Sequence, residues 1–252
     1  MRDIRGALPS GLLSGAWCDN NPFATSLLEA LSFATPALES FFIRTIVDIL
    51  PELKEHDRIE QCRRFIQEES IHSREHRKFN TALVEYLGTH PLGLYALQGG
   101  LKIARHRLSL RSRLQLVAAM EHCSTVLSLA YLDSQESWDI GSEYASVLFA
   151  GHAAEEVAHR SVAFEIWQER SHTNVLGRFS TMCVILLAAT VYLGAVTLWI
   201  RRRKSSNAMA AVSSTLKLNS TAFDRIKTGC ALLRQLFLFV NPNHNPIHLV
   251  SR

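Results

Sequence analysis

The stretch FIQEESIHSREH, residues 65–76, and its counterpart AGHAAEEVAHRSVAF, residues 150–164, decide how this chain is read. Each sets a glutamate and a histidine three residues apart, Glu69 with His72 and Glu156 with His159, inside a long helical pattern. Residues at i and i+3 lie on one face of an α-helix, about 60° apart, so each pair aims a carboxylate and an imidazole at one spot. Two further glutamates, Glu39 and Glu121, sit among apolar residues of other helical stretches, giving the order Glu, Glu-x-x-His, Glu, Glu-x-x-His. A lone glutamate in an apolar helix is usually a surface or capping residue, and a lone Glu-x-x-His arises often by chance. The joint pattern is far less common. Burying four carboxylates without a counter-ion costs several kcal/mol for each, whereas divalent cations supply both charge and coordination. The expected metal ligands are therefore Glu39, Glu69, His72, Glu121, Glu156 and His159. The expected cofactor is two divalent transition-metal ions. Carboxylate oxygens with two imidazoles suit iron first, with manganese and zinc as alternatives.

Three more histidines fall near this stripe. His76 is one turn after His72 and His152 one turn before Glu156, each within about 40° of the ligand face, which marks them as candidate catalytic proton carriers or further ligands. His122 follows Glu121 directly and points about 100° away. Glu68 and Glu155, next to expected ligands, are turned off the stripe by the same angle, so a hydrogen-bonding or solvated role is expected for them.

Between residues 24 and 170 proline, glycine and strand-type alternation are sparse, and apolar residues recur at three and four, which predicts helices. They run from about Ala24 to Leu50 with an interruption near Pro36, Asp57 to Leu87, Leu94 to His106, Leu110 to Asp133, and Ser142 to Gln168. The fold class is all-α. Because one glutamate from each of two helices and a Glu-x-x-His pair from each of two others build the dinuclear site of di-iron and di-manganese bundles, a ferritin-like four-helix bundle is expected, with additional C-terminal helices. The domain plan is an N-terminal extension over 1–23, the metal-binding bundle over 24–170, and an apolar helix with a basic C-terminal helical segment over 171–252.

The segments ALSFATPALESFFIRTI, FIQEESIHSREHRKFN, AAMEHCSTVL and GHAAEEVAHRSVAFEIW carry a more specific likeness. Over residues 17–170, and weakly at NPNHNPIH, the chain resembles a bacterial family labelled predicted metal-dependent hydrolases. The resemblance implies that Glu39, Glu69, His72, His76, Glu121, His122, His152, Glu155, Glu156 and His159 occupy that family's motif positions. The chain departs from the family pattern at Leu38, Glu68, Gly151 and Glu165, where the family carries glycine, glutamine, tryptophan and aspartate. The family label implies hydrolysis, whereas the donor set resembles that of oxygen-activating ferritin-like proteins. Ranked first is an oxidase or oxygenase acting on a small lipophilic substrate in a cavity lined by Phe41, Phe42 and Phe164. The alternatives are a metal-dependent hydrolase and a non-catalytic metal-binding protein.

The 252 residues are 47% hydrophobic and 20% charged, the composition of a globular chain with ample core. The net charge of +4 hides an asymmetry: residues 201–252 carry nine Lys/Arg against Asp224 alone, leaving the first 200 residues acidic. A nucleic-acid surface more often spreads basic residues along a whole face with interleaved aromatics, so the basic tail is read as membrane-adjacent or solvated and no nucleic-acid partner is expected. Five scattered cysteines without CxxC spacing argue against a disulfide framework or thiolate zinc. They fit a reducing cytoplasm, and the N-terminus lacks the apolar run of a signal peptide. Thr181 to Ile200 is uncharged and followed by Arg201, Arg202, Arg203 and Lys204. At 1.5 Å per residue it reaches about 30 Å, enough to cross a bilayer core, but the arginines would then place the bundle outside the cell. Core helix, membrane contact at the inner face and homodimer contact all remain open for it. The last helix is expected over Ser220 to Val240.

Overall fold

The computed structural model describes residues 11–134, 140–170, 174–207 and 222–249. Every regular element among them is helical, and the one bridge of strand type, Cys18 to Ile140, is isolated. The chain is all-α, as its periodicity predicts. Helix α1 (Pro22–Ile49) starts where Asn21 accepts hydrogen bonds from the Phe23 and Ala24 amides and Pro22 takes the first turn. Helix α2 (His56–Leu87) stops at Gly88, whose φ of 81° suits glycine and closes the last turn onto the Val84 carbonyl. There follow α3 (Leu92–Arg107), α4 (Leu110–Ser134), α5 (Glu143–Ala158), α6 (Val162–Arg170), α7 (Val175–Asn207) and α8 (Ala222–Phe237). Residues 1–10, and the expected start of the last helix at Ser220, lie outside the described residues.

Two expectations fail, each for a local reason. The first helix is not interrupted at Pro36 but runs through it. A proline has no N–H, so the carbonyl four residues back, that of Ser32, loses its helical partner. Asn80 of α2 supplies the replacement: its Nδ2 donates to the Ser32 carbonyl at 2.7 Å. The fourth helix is not continuous from Ser142 to Gln168. It breaks at His159, where Val162 N bonds back to the His159 carbonyl at 3.1 Å and α6 begins afresh. Arg160 spans the break: it donates to the carbonyl of Val157, an orphan acceptor at the end of α5, and to those of Pro246 and Ile247 in the C-terminal segment.

Helix α1 packs on α2, α4 packs on α5 and α6, and the two sets meet through α1 with α4 and α2 with α5 and α6. The core forms two large apolar clusters. One holds Trp17, Phe33, Phe79, Leu83 and Phe149; the other holds Phe41, Phe42, Phe65, Trp167 and Phe239. Between them lies a polar layer, bounded by Phe149 against the His76 ring and Phe65 against the His159 ring. The first cluster includes Leu12, Leu13 and Trp17 from the segment ahead of α1 together with Val196 and Ile200 from α7; the second includes Met182 and Phe239. The core is thus shared by all three segments of the domain plan.

Helix α7 contains the uncharged stretch Thr181 to Ile200 and lies along the bundle against α1, α3 and α4. Its Arg178, Met182, Val196, Thr197 and Ile200 are buried there. At its end Lys204 donates to the buried Glu29 of α1 at 2.6 Å, and Trp17 Nε1 shares the same oxygen at 3.1 Å.

Candidate metal centre

The polar layer gathers all six expected ligands. Donor atoms of Glu69, His72, Glu156 and His159 lie within 4.8 Å of one another, as do those of Glu39, His72 and His152. Glu121 reaches the group through Oε2, 3.6 Å from His159 Nδ1. The i, i+3 geometry that brings Glu69 and His72 together is that of an intact α2. His159 reaches the same place as the residue capping α5, with Nε2 3.1 Å from Glu69 Oε1.

The hydrogen bonds fix which ring atoms face inward. His72 Nε2 donates to Glu155 Oε2 at 2.8 Å, which leaves the Nδ1 lone pair turned to Glu39 Oε1 at 3.7 Å and Glu69 Oε1 at 3.9 Å. A second chain begins at Asn80. Its Nδ2 is committed to the Ser32 carbonyl, and its Oδ1 accepts from the Ser32 hydroxyl at 2.7 Å. Ser32 Oγ is then free only to accept, from His76 Nδ1 at 2.8 Å, so His76 Nε2 accepts from His152 Nδ1 at 2.8 Å. His152 is left with Nε2 facing Glu156 Oε1 at 2.9 Å and Glu39 Oε1 at 3.7 Å. The two expected proton carriers therefore stand in series, His152 in the cluster and His76 behind it.

Burial governs the charges. It raises the carboxyls of Glu39, Glu69 and Glu121 well above their ordinary range, reinforced by the neighbouring carboxylates, Glu156 among them in each case. Burial pushes Glu156 the same way, but the hydrogen bond and charge of His152, then His159 and the Ser124 hydroxyl at 2.5 Å, outweigh it and hold this carboxyl at about 2. His72 is kept neutral, down to about 2, by burial and by His152 beside it. His76 is held well below its usual value by burial and the same neighbour.

Sequence reasoning placed His122 off the stripe, and it is: Nε2 donates to the carbonyls of Gln235 and Leu236, at 3.0 and 3.1 Å. Glu155 is turned off its own helix stripe, as expected, and takes the hydrogen-bonding role expected of it, reaching His72 across the α2–α5 interface. Sequence reasoning missed two residues, Ser32 and Asn80, which set the orientation of His76. Asn80 is one turn after His76 on the same face, and that spacing was the available signal. Phe41, Phe42 and Phe164, expected to line a substrate cavity, are instead packed in the second apolar cluster. A cavity of about 150 Å³ opens elsewhere, between α1 and α2, lined by Ser40, Ile43, Arg44, Ser70, Ser73 and Arg77. Ser73, next to His72 in sequence, is buried at its floor and close enough to Glu39 to favour that group's charged form.

Fold and site together define an all-helical protein with a buried carboxylate–imidazole cluster suited to divalent metal. The chain belongs to the family described as predicted metal-dependent hydrolase, which matches residues 1–249. No curated protein and no solved structure gives a significant match.

Proposed function

We propose that the cluster is a dinuclear metal centre and that the chain is a metal-dependent hydrolase. One observation carries the metal reading. Both carboxylate oxygens of Glu39, Glu69 and Glu121, both ring nitrogens of His159 and Nδ1 of His72 are buried without a hydrogen-bond partner, and they converge. Such atoms are costly to leave unmatched, and a cation is what matches them all at once. Glu39, Glu69, Glu121, Glu156, His72 and His159 would hold the ions. When bound, the ions would polarise a carbonyl or phosphoryl oxygen and lower the pKa of water. The protein's own contribution is orientation and proton handling. Glu155 fixes the His72 ring, and the series Asn80, Ser32, His76 fixes His152, whose Nε2 can hold or pass a proton beside Glu156.

The α1–α2 cavity is the favoured place for a small-molecule substrate. Arg44 and Arg77 have no carboxylate partner among the described residues, so an anionic group suits it better than the lipophilic one first expected. A second reading, a di-iron oxidase or oxygenase, is favoured by the donor set itself, since one glutamate from each of two helices and Glu-x-x-His from the others is the di-iron pattern.

Elemental analysis of protein loaded with zinc, manganese or iron tests the metal reading, with about two ions per chain expected. Zinc- or manganese-loaded protein should cleave ester or phosphate model substrates under nitrogen. Iron-loaded, reduced protein that develops ferric absorption and turns over only with oxygen would favour the second reading. Metal content near zero would remove both.

A further inference from the structure

Helix α7 has two apolar faces, and the bundle accounts for one. Only 17% of its most apolar stretch is buried, against 50% for α1, the other long apolar helix. On the outer face Val184, Leu187 and Val191 are 62%, 68% and 63% exposed, with Leu198 continuing the row at half exposure. Their spacing of three, four and seven draws one straight stripe along the helix. Helix α3 packs beside it, its Gly93 set close against Val196 and Tyr192, and adds exposed Leu92, Tyr95 and Ile103. A contiguous apolar surface of this extent marks an interaction site.

The flanking charge selects the partner. Arg202 lies one turn beyond Leu198 on the same stripe and is exposed, as is Arg203. Exposed Lys102 and Arg107 stand at the end of α3. No aspartate or glutamate occurs in residues 86–120 or 170–223, which contain both helices whole. A second copy seated here would bring only like charges to the rim. Anionic lipid headgroups supply the missing sign, and acyl chains the apolar contact.

The geometry also decides how α7 meets the bilayer. Arg178, Met182, Val196, Ile200 and Lys204 are held against the bundle along about 39 Å of helix. A helix fastened over that length cannot cross the bilayer without carrying the bundle with it, and with the bundle the exposed Arg74, Arg77 and Lys78 of α2, into hydrocarbon. We propose that the outer face of α3 and α7 docks the protein in the plane of an anionic bilayer surface, without spanning it.

Flotation of the full chain with vesicles of phosphatidylcholine, with and without phosphatidylglycerol, tests this. The chain should float with the anionic vesicles and much less with the neutral ones. Leu187→Glu with Val191→Glu should cut binding at least tenfold, and Arg202→Glu with Arg203→Glu should erase the preference for anionic lipid, both with helical circular dichroism unchanged. Leu187→Trp should be quenched most by bromines placed shallow on the lipid chains. Quenching strongest at the bilayer centre would overturn docking in the plane. So would a detergent-free dimer that fails to float and that Leu187→Glu with Val191→Glu splits into monomers.

Discussion

At the scale of single residues, the centre separates atoms that hold from atoms that aim. His72 presents Nδ1 to the cluster only because its Nε2 is spoken for by Glu155. Removing such an orienting partner typically costs 10–100-fold in metal affinity. Glu155→Ala should therefore lower affinity by roughly that factor, while Glu68→Ala leaves it nearly unchanged; a metal titration of the two variants compares them. Equal losses would place Glu68 in the centre as well. Proton linkage gives a second expectation. Glu39, Glu69 and Glu121 carry raised carboxyl pKa values in the metal-free fold, so this fold binds more protons than the unfolded chain once pH passes the ordinary value of 4.5. Stability from these groups is complete below that value and is lost as pH rises toward their raised ones. The depressed histidines, His72 and His76 among them, act the opposite way below their ordinary value of 6.5, so the carboxyl effect is read above it: the melting temperature of metal-free protein should fall from pH 7 toward pH 8, and metal should abolish the slope by replacing the protons. A rise over the same range in the metal-free protein would contradict the raised carboxyls.

At the scale of elements, the sequence made the ligand stripes legible because i, i+3 geometry is local: Glu69 with His72 needs nothing but an intact α2. What could not be read depended on a second helix. Pro36 alone argues for a broken helix, and only Asn80, on α2, explains why α1 continues. The break at His159 likewise has no proline or glycine to announce it; the carbonyls that receive Arg160 there, those of Pro246 and Ile247, lie almost ninety residues away. The Pro36 bond can be tested by a cycle. Asn80→Ala strands the Ser32 carbonyl and should cost about 1–3 kcal/mol in denaturant unfolding. In a Pro36→Ala background the restored amide serves that carbonyl, and the same change should cost about 1 kcal/mol less. Strict additivity would mean that Asn80 acts through its side of the His76 series alone.

At the scale of the whole molecule, the α7 stretch illustrates a limit of composition. Uncharged length and trailing arginines fit a membrane span and a core helix equally, and the distinction lies in where Lys204 goes. It turns inward to Glu29, whose carboxyl is fully buried and whose second oxygen has no partner. Lys204→Met should destabilise the fold by about 3–5 kcal/mol, because it leaves a charge without its partner. Adding Glu29→Gln should recover most of the loss, and thermal melts of the single and double variants check it. No recovery would show that Lys204 contributes through packing of its stem and not through the ion pair.

The end of α8 and the residues beyond it give the molecule a schedule. Every expected ligand has been made by the time the chain reaches His159. Yet the carbonyls that receive His122, beside Glu121, belong to Gln235 and Leu236, and those that receive Arg160, beside His159, belong to Pro246 and Ile247. During synthesis the ligands therefore exist well before the clasps that set two of them in place. Chains arrested on the ribosome should take up metal more weakly than the released chain, in which Gln235 to Ile247 are free to close, so that translation itself delays loading until the helices have closed around the centre.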